Sequence, residues 1–363
     1  MKKILAVAMA ALVGVLAFAE DDEGLYVGGY IRAGIADNVS DTVFTTSEWM
    51  GGGYFGGHSR LRLNIDYSKQ AGGVTFRFEE NKFNDNFFEL DNIEWLMGYA
   101  NFCDGQIIAE GGILKDRFTN TDGWEDMAID GGRGARIVFA PSFVEGLFLT
   151  ASVSDRFADR YTKKVLLEDA NEDDEDEDKY KEEPGDIKFN SSLFGFSAKY
   201  AADPFYVTGG LSLAGYFYAG FGLTAVENLI VTVETSFDDT DGTKSDPYSG
   251  SINGEPVLQF VAWAEYTGIE RLLLGAYSYL SLSDGKIAYG EVTPAISFDL
   301  NDLLTLSAEM SLYFADGMDT YVLITPAVTF NASKNASATV YTQISTDTDQ
   351  TPHTVGAGVR YNF

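Results

Sequence analysis

Residues 59–80 read SRLRLNIDYSKQAGGVTFRFEE. In the first half Leu61, Leu63, Ile65 and Tyr67 fall on one parity, and Arg60, Arg62, Asn64 and Asp66 fall on the other. After the small, polar connection SKQAGG, Val74, Phe76 and Phe78 alternate with Thr75, Arg77 and Glu79. A period of two is that of a strand with one apolar and one polar face. Working outward, the same pattern returns in Leu304/Leu306/Ala308/Met310/Leu312/Phe314 against Thr305/Ser307/Glu309/Ser311/Tyr313. It returns again at the end of the chain, where Val355, Val359, Tyr361 and Phe363 alternate with Thr354, Arg360 and Asn362. The alternation is weaker over residues 93–102 and 106–114, and the faces of those segments stay open.

Eighteen such runs can be counted between residues 24 and 363, and sixteen remains open as an alternative. Between them, long and short connections alternate through the first half: 36–58 long, SKQAGG short, 81–92 long, CDG short, 115–132 long, then 155–191 and 238–256 long again. An even-stranded transmembrane barrel has this asymmetry, with short periplasmic turns and long extracellular loops. A soluble sandwich has no reason for it. The rule weakens later, where LAGY, SLSDGK and ADGMDT are short. Strands running toward the short-turn side end on Tyr67, Phe102, Phe139, Tyr200, Tyr266, Phe298, Phe330 and Phe363, as expected of an aromatic girdle at a membrane boundary. The expected fold is therefore all-β, a transmembrane antiparallel barrel of 16–18 strands with both termini periplasmic.

Composition agrees. The 363 residues include 38 Gly, 8 Pro and 14% aromatics, with 55 Asp+Glu against 25 Lys+Arg and a formal charge of -30. Aromatic content of this order excludes disorder for the bulk of the chain. Mean hydropathy is -0.08, and no run after the N-terminus supplies 18 consecutive apolar residues, which excludes a polytopic helical membrane protein. The acidity argues against nucleic acid as a partner. The single cysteine, Cys103, permits no internal disulfide. Lys2 and Lys3, an apolar run from Ile4 to Phe18 and the small-x-small Ala17-Phe18-Ala19 read as a signal peptide over residues 1–19, leaving one barrel domain over 20–363.

On these residues, and on the final Val359-Arg360-Tyr361-Asn362-Phe363, the chain resembles the outer-membrane porins of Gram-negative type. The resemblance implies location in the outer membrane with lipid around it, a water-filled lumen and often a homotrimer. It also implies recognition of the terminal Tyr361/Phe363 pattern by the barrel assembly machinery. In general porins the connection between the fifth and sixth strands folds into the lumen; here that is KDRFTNTDGWEDMAIDGG, with Asp116, Asp122, Glu125, Asp126 and Asp130.

Parity places the lumen charges. Arg32, Arg60, Arg62 and Arg77 point inward from the first three strands and Arg360 from the last, so one wall is basic. Glu234, Glu265, Glu291 and Glu309 point inward across the barrel and make an acidic wall. The expectation is that the loop carboxylates face Arg60, Arg62 and Arg77 and set up a transverse field. The competing reading pairs those arginines with neighbours such as Asp66 and Glu79.

Other features carry less. The run Glu168–Glu183, EDANEDDEDEDKYKEE, reads as a self-repelling solvated loop; the sharper reading is weak capture of divalent cations at the acidic external loops. It holds no calcium-loop register, and Asp239-Thr240-Asp241-Gly242 is a fragment of one. No resident cofactor is expected. Gly51, Gly53 and Gly56 match G-x-G-x-x-G outside any βαβ context, and no G-x-S-x-G is present. His58 and His353 are the only histidines, and they read as ordinary loop or rim residues. Cys103 reads as incidental. The expected activity is passive diffusion of small hydrophilic solutes and ions, with no catalysis. A substrate-preferring channel, in which inward tyrosines such as Tyr30, Tyr206 and Tyr216 line a track, and a surface adhesin or structural barrel are the alternatives.

Overall fold

The structure, a computed structural model, describes residues 24–38, 44–45, 48–49, 57–58, 60–80, 93–123, 125, 127–129, 131–157, 160–166, 180–187, 189–239, 256–348 and 352–363. The expected signal peptide, Asp126, Asp130, residues 168–179 of the acidic run and Thr240 to Gly242 lie outside them.

Among the described residues, eighteen long strands make one antiparallel sheet. They are β1 Leu25–Asn38, β2 Arg60–Lys69, β3 Gly72–Glu80, β4 Ile93–Phe102, β5 Ile107–Lys115, β6 Gly131–Phe139, β7 Leu147–Ser154, β8 Phe194–Ala202 and β9 Phe205–Ser212. The second half follows as β10 Tyr216–Val226, β11 Leu229–Asp238, β12 Val257–Ile269, β13 Leu272–Ser283, β14 Lys286–Asn301, β15 Leu304–Ala315, β16 Met318–Ser333, β17 Ala336–Ser345 and β18 Thr354–Asn362. Each pairs with its sequence neighbours, and β18 pairs with β1 from Tyr30↔Asn362 to Asn38↔Thr354. The sheet is closed.

Closure follows from local rules. Two-residue turns such as Gln70-Ala71, Glu227-Asn228 and Glu270-Arg271 join neighbours at one end of the cylinder. Asn228 and Arg271 there take positive φ of 60° and 63°, as tight hairpin turns require. At the other end, the later connections contract to Leu213–Gly215, Asp284-Gly285 and Asp316-Gly317, so the weakening of long-short alternation reflects short mouth turns and not missing strands.

The outward parity is apolar and exposed: Val27, Ile31, Val74, Leu96, Ile137, Val207, Phe221, Val233, Phe260, Ile296, Leu306, Met310, Ile324, Val328, Val340 and Val359. At the short-turn rim Phe102, Phe139, Tyr200, Tyr266, Phe298, Phe330 and Phe363 are exposed as well, while Tyr67 is half-buried. A soluble protein does not display a continuous apolar belt of this kind. A closed barrel leaves no unpaired strand edge, which is what lets such a belt face hydrocarbon.

Two expectations need correction. The connection after β7 is not uninterrupted loop: Arg160–Leu166 and Tyr180–Ile187 form an antiparallel hairpin with Lys163 opposite Glu183 and Lys164 opposite Glu182. Residues 180–183 of the acidic run are therefore strand, with Glu182 and Glu183 in register with Lys164 and Lys163. His58 also sits in a short pairing, Glu48↔His58, and not in open loop.

Candidate functional site

The connection between β5 and β6 enters the barrel and lies against inward residues of one wall. Asp116 starts it with a side-chain turn, accepting from the backbone N–H of Phe118 and Thr119, both at 2.9 Å. The carbonyl of Thr119 then accepts from Tyr218 Oη at 2.5 Å on β10 and from the Thr208 hydroxyl on β9. Lys199 on β8 donates to the Asn120 carbonyl at 3.1 Å and pairs with Asp122. Glu234 on β11 caps the tip: Thr121 Oγ1 donates to one carboxylate oxygen, and Glu125 N–H donates to the other at 3.0 Å. Tyr277 Oη on β13 donates to Glu125 Oε1 at 3.1 Å. On the return, Met127 and Ile129 pack with inward Tyr216, Tyr218, Val261 and Tyr277. Arg156 Nη1 donates to the Ala128 carbonyl at 3.0 Å.

The wall makes room where the loop presses on it. Inward Gly210 stands where a Cβ would come within 2.7 Å of Ile129 Cγ1 and of Ser197 Cβ, and inward Gly220 stands where one would come within 2.6 Å of Thr121 Cγ2. Side chains at those positions would push the loop off its seat.

A buried ionic cluster fastens the loop's entry. Glu110 on β5 takes Arg136 Nε from β6 at 2.7 Å and also pairs with Arg117, while Arg136 reaches Asp116 at 3.3 Å. The Arg136 and Glu110 side chains are fully buried. None of Glu110, Arg117, Arg136 or Lys199 was singled out from sequence. Ser197 and Lys199 alternate cleanly with Phe196, Ala198 and Tyr200, so parity could have found Lys199. Arg136 shares its inward face with apolar Val138, which blurs the pattern.

On the basic wall, Arg60 Nη1 meets Glu79 Oε1 at 2.9 Å, and Arg62 Nε meets Glu79 Oε2 at 2.5 Å. Arg77 Nε donates to Asn64 Oδ1 at 2.6 Å, approaches Glu94 at 3.5 Å and stacks 3.7 Å over the Trp95 ring. Asp66 accepts from Thr75 and not from an arginine. Register puts Arg32 directly opposite both Arg60 and Arg360 across the closing seam. The guanidiniums of Arg32, Arg62 and Arg360 stand 5.9, 5.3 and 4.7 Å from the Tyr30 ring centre. Like charges placed opposite one another oppose pairing, so this row has a reason other than sheet stability.

For the three described loop carboxylates the expected confrontation with Arg60, Arg62 and Arg77 is corrected, while Asp126 and Asp130 lie outside the described residues. Asp116 pairs with Arg136, Asp122 with Lys199, and Glu125 takes the Tyr277 hydroxyl. The loop's inward apolar residues seat it on the wall of β8–β13, which brings these carboxylates to cations on or beside that wall. The acidic wall changes in character too. Glu234 has no exposure because the loop covers it, and Glu291 and Glu309 are buried, Glu291 by hydroxyls of Tyr289 and Thr293 at 2.7 Å each. Glu265 is half-buried on β12. Burial raises the Glu125 carboxyl above its usual range; the Tyr277 hydrogen bond opposes this, and Glu291 adds to it. His353 accepts from the Ser345 N–H at 3.1 Å, which leaves it a structural rim residue.

No known family profile matches the chain, and no curated protein does. Solved structures do. A loop-deletion variant of OmpT, an outer membrane protein of Vibrio cholerae, matches over 94% of this chain and 100% of its own, with 15% identity and a TM-score of 0.48. A five-substitution variant of the Rh. blastica porin matches over the same shares at 13% identity and 0.48, and a porin refined at 1.8 Å at 10% and 0.49. At these scores the likenesses carry no argument of their own; the closed barrel stands on the pairing of β18 with β1, and the site on its own geometry.

Proposed function

We propose that the protein is an outer-membrane channel through which small hydrophilic solutes and ions diffuse passively. The observation that carries the reading is the seat of residues 116–129 inside a cylinder of eighteen strands. A barrel of this size is too wide for wall side chains to fill and leaves an aqueous lumen. The loop narrows that lumen from the side of β6–β13, and the arginines of β18 and β1–β3 line the opposite side. Solutes then pass between the wall of Arg32, Arg60, Arg62, Arg77 and Arg360 and the seated loop. The apolar belt places the barrel in a membrane. The terminal Tyr361/Phe363 pattern supports insertion by the barrel assembly machinery, and trimeric assembly belongs to the same proposal.

Planar-bilayer recording tests it. The purified protein is expected to open a steady conductance in KCl, and Arg60→Ala/Arg62→Ala is expected to shift selectivity toward cations. A closed lumen would leave an adhesin or structural barrel, and unchanged selectivity in the variant would remove the arginines from the path. Swelling of loaded liposomes with neutral sugars of graded size then measures the opening.

A further inference from the structure

On the wall of β13–β16, an aromatic row surrounds one carboxylate. Register sets Tyr279 on β13 opposite Glu291 on β14, Glu291 opposite Tyr313 on β15, and Tyr313 opposite Tyr321 on β16. Tyr289 stands one inward position nearer the mouth from Glu291. Successive ring centres from Tyr279 through Tyr289 and Tyr313 to Tyr321 lie 5.6, 6.2 and 4.9 Å apart. All four tyrosines are half-buried, so part of each faces the lumen.

Glu291 accepts from two neutral hydroxyls, those of Tyr289 and Thr293. A carboxylate has about four acceptor sites, so it keeps capacity for a cationic donor. Of the described residues between 230 and 345, the basic ones are Arg271, Lys286 and Lys334, and each sits in a turn or at a strand end. The described inward positions of β11–β17 are acidic, hydroxylic, aromatic, amide, aliphatic or small, and none is basic. Aromatic faces carry a negative quadrupole that attracts a cation, most strongly when water is excluded.

From this row we infer a binding site for small organic ammonium ions, with the ammonium at Glu291 and the carbon skeleton against Tyr279, Tyr289, Tyr313 and Tyr321. An anion is repelled there. A strongly hydrated alkali ion gives up its water without gaining apolar contact, whereas an aryl or alkyl ammonium gains both. The inference deepens the channel reading and rests on its open lumen.

The probe is benzylammonium, set against benzyl alcohol, benzoate and maltose. In bilayers holding a KCl current, benzylammonium is expected to reduce the current reversibly at concentrations where the other three do not. Calorimetry of the protein in neutral-detergent micelles reads the same binding without a pore. Glu291→Gln and Tyr313→Leu/Tyr321→Leu are each expected to weaken it about fivefold to tenfold, with barrel folding checked by heat-modifiable gel migration. Equal binding of benzyl alcohol, preferential binding of maltose, or a benzylammonium affinity unchanged in folded Glu291→Gln would overturn the site. A KCl current without benzylammonium binding sinks the site and spares the channel; binding in micelles without current does the reverse.

Discussion

Glu234 is a lumen carboxylate whose work is mechanical. Its two oxygens hold Thr121 and the Glu125 N–H, so one side chain grips the tip of the loop at two points. Glu234→Gln keeps the shape but replaces one acceptor oxygen by a donor, which is expected to cost about 1–3 kcal/mol of loop seating. Single-channel recordings should show it as added open-channel noise and sublevels. Arg136→Met leaves Glu110 buried without its main partner and is expected to destabilise the barrel by about 3–5 kcal/mol, with Arg136→Met/Glu110→Leu recovering most of that; thermal melts in detergent compare the three. Glu125 supplies a pH dependence. Its folded-state pKa lies above its unfolded one, so its contribution to stability is fully present below the unfolded value and is lost as pH rises through the folded one. Current should accordingly become less cation-selective as pH falls through mildly acid values, and Glu125→Gln should flatten that step in reversal potential. Arg60, Arg62 and Arg77 are legible in sequence because their strands alternate cleanly. Their partners are less so: Glu79 follows from the β2–β3 hairpin, but the Arg136–Glu110 pair depends on where a loop turns, which no periodicity encodes.

At the scale of elements, the identity of the eighteen barrel strands is legible in the sequence. Cross-strand pairing extends past the apolar alternation, as in β16, which begins at Met318 and ends at Ser333. The uncertain faces of β4 and β5 have a physical cause. Trp95, Met97 and Leu114 point inward and are buried, so both faces of those segments are apolar and the period of two disappears. The direction of the β5–β6 connection is hidden for a related reason: Met127 and Ile129 are isolated apolar residues in an acidic stretch, and their partners are inward residues of β10, β12 and β13. The hairpin Arg160–Leu166/Tyr180–Ile187 pairs only with itself. Its deletion is therefore expected to leave heat-modifiable migration of the barrel intact and bilayer conductance within about twofold, since Arg156, which holds Ala128, lies before it.

For the whole molecule, the governing contrast is between an apolar outer parity and a polar inner one. Ile324→Arg, on the outward face near the middle of β16, is expected to cost about 2–4 kcal/mol in lipid, read from urea unfolding in bilayers. The architecture is legible because that contrast persists from β1 to β18. The choice between sixteen and eighteen strands turned on three tight mouth turns, whose shortness says nothing about which end of a barrel they occupy.

The seam joins the earliest strand to the last, and the final residue exchanges backbone hydrogen bonds with Gly29 in both directions at 3.0 Å. A polypeptide emerging from the ribosome therefore lacks a mate for the edge of β1 that does not face β2 until β18 has been made. Sealing follows translation, and transit to the membrane takes place with two sticky margins that some escort has to shield.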